Sequence, residues 1–169
     1  EIGHRPIDLH LKGLAALNVR IVEEYGNIVC EGEQLVGNTV HLDYPSVGAT
    51  ENLMMAAVAA QGDTYIQNAA REPEILDLQE FLNALGCNVM GAGTSTIRII
   101  GGGKRHGAQY RIMPDRIVAG TLLAAAAITG GEVDLLGARA DNISSVIAKL
   151  RETGAEIRVI GDTISIKGP

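Results

Sequence analysis

Leu82-Asn83-Ala84-Leu85-Gly86-Cys87 is the stretch from which the fold of this chain can be predicted. The same pattern occurs about 68 residues earlier, at Leu14-Ala15-Ala16-Leu17-Asn18-Val19, and about 68 residues later, at Leu150-Arg151-Glu152-Thr153-Gly154-Ala155. Each copy predicts the end of an amphipathic helix followed by a left-handed residue, a conformation that Gly and Asn adopt at low cost. A constant spacing of this kind indicates an internal structural repeat.

The beginnings of these helices also recur, at Arg5-Pro6-Ile7-Asp8, Arg71-Glu72-Pro73-Glu74 and Arg139-Ala140-Asp141-Asn142. Proline is favoured in the first turn of a helix, and acidic residues there interact well with the helix dipole. We therefore expect Pro6 and Pro73 to lie in first helical turns.

A second pair of repeated segments lies between these helices, at 51–62 and 120–131. Both are apolar on nearly every side, which predicts helices buried all round, with 51–60 and 121–128 the most buried elements of the chain. Residues 156–160 and 163–167 alternate instead, as expected for strands with one wet face. The repeated unit is predicted to be β-α-β-α-β-β, an α/β fold with helices inside and sheets outside.

The repeat divides the chain into a partial unit at 1–36, a whole unit at 37–106 and most of a third at 107–169. Gly101-Gly102-Gly103 is predicted to be a flexible break. Because the spacing GxxxxGK[ST] is absent, these glycines do not predict a phosphate-binding loop.

Composition excludes several classes of function. The 169 residues carry a net charge of −6 and only 3% aromatic residues, which argues against binding to nucleic acid or to an anionic membrane. The longest apolar runs are too short to span a bilayer. Cys30 and Cys87 are interpreted as small buried residues, and the four histidines lack metal-ligand spacing, so no metal and no cofactor is expected. The cysteine content fits a cytoplasmic location, and the abrupt start at Glu1 suggests a piece of a longer protein.

Two segments are candidates for anion binding. Arg5 precedes a helix start, where backbone N–H groups and a guanidinium together suit phosphate or carboxylate, although an ion pair with Asp8 explains the same pattern. The segment from Asp43 to Thr50 joins a strand to an apolar helix through small residues, although Ser46 or Thr50 would also serve there merely as a helix cap.

Two further junctions are weaker candidates. The segment 68–74 contains Glu72 and Glu74, two carboxylates that suit acid–base chemistry but that helix-start electrostatics also explain. The segment 113–117 is predicted to be another strand-to-helix junction, with Asp115 as the helix cap.

Four long runs, together spanning the chain, resemble the UDP-N-acetylglucosamine enolpyruvyl transferases, a branch of the enolpyruvate transferase family. They are Arg5-Pro6-Ile7-Asp8-Leu9-His10, the run from Leu42 to Ala57, the run from Asn68 to Ile75, and Pro114-Asp115-Arg116-Ile117 with Gly120-Thr121. The resemblance implies an inside-out α/β barrel in each domain. It places 1–113 at the back of one domain and 114–169 in the first repeat of the next, joined to the remainder of a longer chain.

The resemblance also implies a reaction and its substrates. The enolpyruvyl group of phosphoenolpyruvate is transferred to the 3-hydroxyl of UDP-N-acetylglucosamine with release of phosphate, the first committed step of peptidoglycan synthesis. Arg5 is implied as the catalytic residue that contacts the phosphate. The residues implied in UDP-sugar binding are Arg5, Pro6, Ile7, Asp8, Leu9, Tyr44, Pro45, Ser46, Val47 and Gly48.

The sequence departs from the family at three places. The family's reactive Cys lies on a loop placed just before Glu1, so its identity here is unknown and this chain alone is expected to be inactive. Tyr44 stands where the family often has Lys, and Asn18 where it usually has Gly. Two alternatives remain: an enzyme like 5-enolpyruvylshikimate-3-phosphate synthase, which shares the fold, or a non-catalytic repeat scaffold.

Overall fold

The computed structural model describes residues 6–169. The chain forms two compact units, and the first ends at Ile112 where the second begins at Met113. The first unit contains α1 (Asp8–Ala16), β1 (Arg20–Glu24), β2 (Asn27–Glu31), β3 (Thr39–His41), α2 (Val47–Ala57), β4 (Asp63–Gln67), α3 (Pro73–Ala84), β5 (Asn88–Met90) and β6 (Thr96–Ile100). The second contains α4 (Arg116–Thr129), β7 (Glu132–Leu135), a 3-10 helix (Ala140–Ile143), α5 (Ser144–Glu152), β8 (Glu156–Ile160) and β9 (Thr163–Lys167).

The strands form three sheets. In the first unit β1 and β2 make an antiparallel hairpin, and four strands follow the order β3-β4-β6-β5. Strand β3 runs parallel to β4, with Val40 opposite Ile66, whereas β6 is antiparallel to both of its neighbours. In the second unit the antiparallel order is β7-β9-β8. Parallel and antiparallel pairs occur together, so the fold is mixed α/β.

The predicted strands at the end of the chain are confirmed. Strands β8 and β9 occupy 156–160 and 163–167, and their register places Ile157 opposite Ile166. Ile157, Ile164 and Ile166 are buried while their neighbours face outward, because alternate side chains of a strand point to opposite faces.

The core of the first unit surrounds α2. Leu53, Met54 and Ala57 of this helix are fully buried, together with Ile66 of β4 and Ile97 of β6. Helices α1 and α3 and strands β4 and β6 all contact α2. The sequence prediction of a helix buried on several sides is therefore confirmed for α2.

Among residues 6–169, the same burial is not found for α4. Only Leu123 and Ala126 of this helix are buried, and Ile117, Leu122 and Ile128 are 60%, 46% and 87% exposed. Within its unit α4 packs on β7, β9, α5 and the 3-10 helix, and the described residues of this unit provide no further helix for its other face.

The predicted helix ends are confirmed by the backbone angles. Asn18, Gly86 and Gly154 all have positive φ, at 70°, 88° and 96°. Pro73 begins α3 as expected, but Pro6 precedes α1 by two residues, because Ile7 is the N-cap and Asp8 the first helical residue.

Two further expectations are wrong. Gly101 is not a flexible break: a Cβ there would lie against the carbonyl oxygen of Ala60, and its N–H donates to the carbonyl of Gly62. The glycine is needed for this close approach of two backbone segments. Cys30 is exposed on β2 rather than buried, because all five residues of that strand are exposed, and Cys87 is half-buried. Among residues 6–169, no helix is long and apolar enough to cross a membrane.

Candidate functional site

Two of the candidate segments follow neighbouring parallel strands. The chain leaves β3 at His41 and enters α2 at Val47, and it leaves β4 at Gln67 and enters α3 at Pro73. Because the carboxyl ends of parallel strands lie at the same edge of a sheet, segments 43–50 and 68–74 meet there. The same edge carries the N-termini of both helices, where backbone N–H groups attract anions.

The segment before α2 ends in a capped helix. Ser46 is the N-cap, and its Oγ accepts a hydrogen bond from the N–H of Ala49 at 3.3 Å. Tyr44, Pro45 and Gly48 are exposed, so the first turn of α2 is accessible from outside. The capping role expected of Ser46 is confirmed.

Helix α1 lies against this first turn. His10 Nδ1 is 3.0 Å from the side-chain nitrogen of Asn52 on α2, and a Cβ at Gly48 would lie 3.3 Å from His10 Cε1. Lys12 Nζ lies 2.8 Å from Asp43, but both side chains of this ion pair are more than half exposed. The beginning of α1 and the beginning of α2 are therefore neighbours.

The described part of the first candidate segment begins at Pro6. Pro6, Ile7 and Asp8 are exposed and Leu9 is buried in the core of the first unit. Arg5, the residue predicted to be catalytic, lies outside the described residues. The open alternative of an ion pair between Arg5 and Asp8 lies outside them for the same reason.

Residues 68–70 form hydrogen bonds with the segment that precedes and begins α2. Asn68 has a positive φ of 56°, and its side chain donates to the carbonyl oxygen of Leu42 at 2.9 Å. The N–H of Ala70 donates to Oγ1 of Thr50 at 3.1 Å, and Thr50 is fully buried. Hydrogen bonds from Asn68 and Ala70 thus hold the two ends of segment 42–50 in place, which favours a preorganised binding site.

The sequence left two interpretations of Glu72 and Glu74 open, acid–base chemistry and helix-start electrostatics. Glu72 is the N-cap residue of α3, but its side chain makes no capping bond to that helix and accepts a hydrogen bond from the N–H of the preceding Arg71 at 2.8 Å. Glu74 instead acts on Glu51 of α2: burial raises the pKa of Glu51, and the charge of Glu74 raises it further. Sequence reasoning missed Glu51, because only the packing of α2 on α3 relates it to Glu74.

The fourth candidate segment belongs to the second unit. Asp115 caps α4 as predicted, accepting from the N–H groups of Ile117 at 2.7 Å and Val118 at 3.2 Å. Residues 101–115 form no strand, so the expected strand-to-helix junction is absent. A shallow cavity of about 210 Å³ lies beside this cap, bordered by Leu136 and Arg139. Residues 6–169 contain no cluster of His, Cys, Asp or Glu suited to a metal ion.

The sequence of this chain is similar to those of known enolpyruvyl transferases. The model of the EPSP synthase (3-phosphoshikimate 1-carboxyvinyltransferase) family matches residues 1–169. UDP-N-acetylglucosamine 1-carboxyvinyltransferase 2 of Caldanaerobacter subterraneus is 57% identical over 166 residues, which is 98% of this chain and 40% of that protein. UDP-N-acetylglucosamine 1-carboxyvinyltransferase 1 of Symbiobacterium thermophilum is 55% identical over 169 residues, or 99% of this chain and 38% of that protein.

Solved structures show the same fold. The enolpyruvyl transferase NikO of Streptomyces tendae matches 98% of this chain and 42% of its own, with a TM-score of 0.82 and 20% identity. An EPSP synthase of Acinetobacter baumannii matches 96% of this chain and 40% of its own, with a TM-score of 0.67 and 28% identity. The chain spans about 40% of the length of the curated relatives it matches.

Proposed function

Because this chain belongs to the EPSP synthase (3-phosphoshikimate 1-carboxyvinyltransferase) family, we propose that the full-length protein is an enolpyruvyl transferase. Its donor is phosphoenolpyruvate, and its acceptor is the 3-hydroxyl of UDP-N-acetylglucosamine. The products are the enolpyruvyl ether of the UDP-sugar and inorganic phosphate. This reaction is the first committed step of peptidoglycan synthesis.

One observation carries the choice of acceptor. The relatives that are 57% and 55% identical over nearly the whole chain are named for UDP-N-acetylglucosamine, whereas the EPSP synthase structure is 28% identical. The runs Arg5-Pro6-Ile7-Asp8-Leu9 and Ser46-Val47-Gly48-Ala49-Thr50 favour the same acceptor.

The proposed binding site uses the starts of α1 and α2. Residues Arg5 to Leu9 line the UDP-sugar site, and Tyr44 to Gly48 approach the uridine diphosphate. The start of α2 supports this role, because helix N-termini attract anions and its outer residues Tyr44, Pro45 and Gly48 are exposed. Tyr44 contributes a neutral contact at a position where a lysine would contribute charge.

The proposed mechanism is addition followed by elimination. Phosphoenolpyruvate gains a proton at its methylene carbon, and the sugar hydroxyl adds to the neighbouring carbon as it loses its own proton. The resulting intermediate then loses a proton from the methyl carbon, and phosphate leaves with its bonding electrons. Arg5 contacts the phosphate and stabilises its charge through two parallel hydrogen bonds.

The fold details follow the same proposal. Each domain is an inside-out α/β barrel built from β-α-β-α-β-β repeats, with 1–113 in one domain and 114–169 beginning the next. The order β3-α2-β4-α3-β5-β6 supports this unit. We place the full-length protein in the cytoplasm, where both substrates are available, with no metal or cofactor.

Phosphate release tests the proposal. The full-length protein is incubated with phosphoenolpyruvate and either UDP-N-acetylglucosamine or shikimate-3-phosphate, and free phosphate is measured. Release with the UDP-sugar alone supports the proposal, release with shikimate-3-phosphate alone supports the EPSP synthase alternative, and release with neither supports a non-catalytic scaffold. The 169-residue chain itself is expected to release none, because catalysis in this family takes place in a cleft that needs more of the protein.

Arg5→Lys tests the role of the arginine in the active full-length protein. Lysine keeps the charge but lacks the planar fork that binds two phosphate oxygens. We expect kcat/KM for phosphoenolpyruvate to fall about 10- to 1000-fold with normal folding. A value within about twofold of the parent would show that Arg5 does not bind the phosphate, since an exposed ion pair contributes little.

A further inference from the structure

We propose that His10 is a positioning residue for the UDP-sugar site, acting through Asn52 and Gly48 to hold the first turn of α2 against the start of α1. This inference rests on the proposed function. None of the sequence patterns assigns His10 a role of its own, although it closes the run that begins at Arg5.

The contact between the two helices has a defined geometry. The side-chain nitrogen of Asn52 lies 3.0 Å from His10 Nδ1. With the amide donating, Nδ1 accepts and the ring proton lies on Nε2. The adjacent edge of the ring, Cε1–Nε2, lies over Gly48, where a Cβ would be 3.3 Å from Cε1 and 3.5 Å from Nε2. The ring is half-buried in this position.

Glycine at position 48 matches this arrangement. A larger residue there would press on the ring at contacts shorter than those usual for a Cβ, so the ring and the glycine fit as a pair. Gly48 belongs to the first turn of α2, and Asn52 lies one turn further along the same helix. His10 therefore contacts two successive turns of α2 from a single position on α1.

Position matters here because the nucleotide is proposed to contact both helix starts. Its affinity then depends on the distance between segment 6–9 and segment 44–48. The ion pair between Lys12 and Asp43 also joins the two segments, but both of its side chains are more than half exposed, so it fixes their distance weakly. The ring on Gly48 and the bond to Asn52 define that distance more closely.

The experiment uses steady-state kinetics of the full-length protein. His10→Ala and Asn52→Ala are each expected to raise KM for UDP-N-acetylglucosamine about fivefold, the effect of one lost hydrogen bond, with kcat and KM for phosphoenolpyruvate within about twofold of the parent. The double variant is expected to match His10→Ala, because the bond that Asn52→Ala removes is already lost in that variant. Lys12→Ala is the matched control on the same helix, and its KM for UDP-N-acetylglucosamine is expected to stay within about twofold of the parent value.

Two conservative variants distinguish positioning from direct contact with substrate. His10→Asn places an amide oxygen near the position of Nδ1, so it keeps the acceptor for Asn52 while it loses the ring over Gly48, and its KM should lie closer to the parent value than that of His10→Ala. His10→Gln places its polar group near Nε2 and should show no such recovery. Circular dichroism and the melting temperature establish that each variant is folded, and Asn52→Ala keeps the test decisive where His10→Ala does not fold.

Several results would overturn the inference. They are an unchanged KM in both alanine variants, an equal rise in Lys12→Ala, or rescue by His10→Gln instead of His10→Asn, which would mean that the ring binds the nucleotide directly. A parent protein that is inactive with UDP-N-acetylglucosamine would overturn the proposed function itself. An active parent with a kinetically silent His10 would overturn this inference alone.

Discussion

Helices α2 and α4 arise from the same kind of sequence but differ in their surroundings. Each follows a short polar cap, Ser46 or Asp115, and each is apolar around most of its circumference. In the first unit α2 has Ala49, Leu53, Met54 and Ala57 fully buried. In the second unit α4 keeps Ile117, Leu122 and Ile128 exposed.

The difference shows that composition sets what a helix can bury, while its neighbours set what it does bury. Two helices and two strands contact α2, including α1, which lies across its first turns. Within its own unit α4 has one α-helix, a 3-10 helix and two strands against it, all on one side of its circumference. The same substitution should therefore have different effects in the two helices.

The largest difference is expected for a buried charge. Ala57→Asp places a carboxylate at a fully buried position of α2 and should lower the free energy of unfolding of the first unit by about 3 to 5 kcal/mol. In the same 169-residue chain, Ala124→Asp at an exposed position of α4 should lower the free energy of unfolding by only about 0.5 kcal/mol, the difference in helix propensity. Urea denaturation with hydrogen exchange read separately for each unit measures both values. Equal effects would mean that the two helices are equally buried.

A smaller difference is expected for the threonines near the two helix starts. Thr50→Val removes the oxygen that accepts from the N–H of Ala70 in a fully buried place, which should cost the first unit about 1 to 3 kcal/mol. Thr121 is exposed, and its hydroxyl donates to the carbonyl oxygen of Ile117 within α4. Thr121→Val should therefore change the free energy of unfolding of the second unit by no more than about 0.5 kcal/mol. Hydrogen exchange at the amide of Ala70 is the direct readout, and unchanged protection there would contradict the bond's importance.

The glycines of α1 and α4 should respond to alanine with opposite signs. A Cβ at Gly13 would lie 2.5 to 2.9 Å from three carbon atoms of Leu53, whose side chain is fully buried and cannot move aside cheaply. Overpacking in Gly13→Ala should outweigh the gain in helix propensity, so the free energy of unfolding of the first unit should fall by about 1 kcal/mol. At Gly120 the nearest atoms are 3.8 Å away, so alanine should stabilise the second unit by about 0.5 to 1 kcal/mol. Melting temperatures that shift in the same direction for Gly13→Ala and Gly120→Ala would contradict the packing difference.

The sequence predicted those features that depend on local chemistry. The left-handed residues at Asn18, Gly86 and Gly154, the start of α3 at Pro73 and the strands at 156–167 follow from short-range rules, and the structure confirms them. Exposure of α4 and of Cys30 could not be predicted, because burial depends on which elements surround a segment. For the candidate site, the sequence identified the segments 43–50 and 68–74. The contacts of His10 and the effect of Glu74 on Glu51 depend on how helices pack and carry no sequence signal.

The smallest expected difference concerns pH. Glu51 lies on α2 at the position that corresponds in the repeat to Gly120 of α4, so only the first unit carries an ionisable group there. Burial raises the pKa of Glu51 above its ordinary value of 4.5, and the charge of Glu74 raises it further. The folded state therefore holds this proton more tightly than the unfolded state does. Stability is then lost as the pH rises from the unfolded pKa through the raised folded pKa.

Glu51→Gln removes this titration and should stabilise the first unit above the raised pKa, while leaving its stability near the parent value below pH 4. The gain should stay below about 1 kcal/mol, because Glu51 is only half-buried and solvent screens its charge. Urea denaturation between pH 3.5 and 7.5, read on the first unit, measures this difference as a function of pH. Glu24→Gln on exposed β1 is the control for loss of a negative charge and should show no comparable gain. A Glu51→Gln gain that persists unchanged at acidic pH would come from the change in side chain and not from its ionisation.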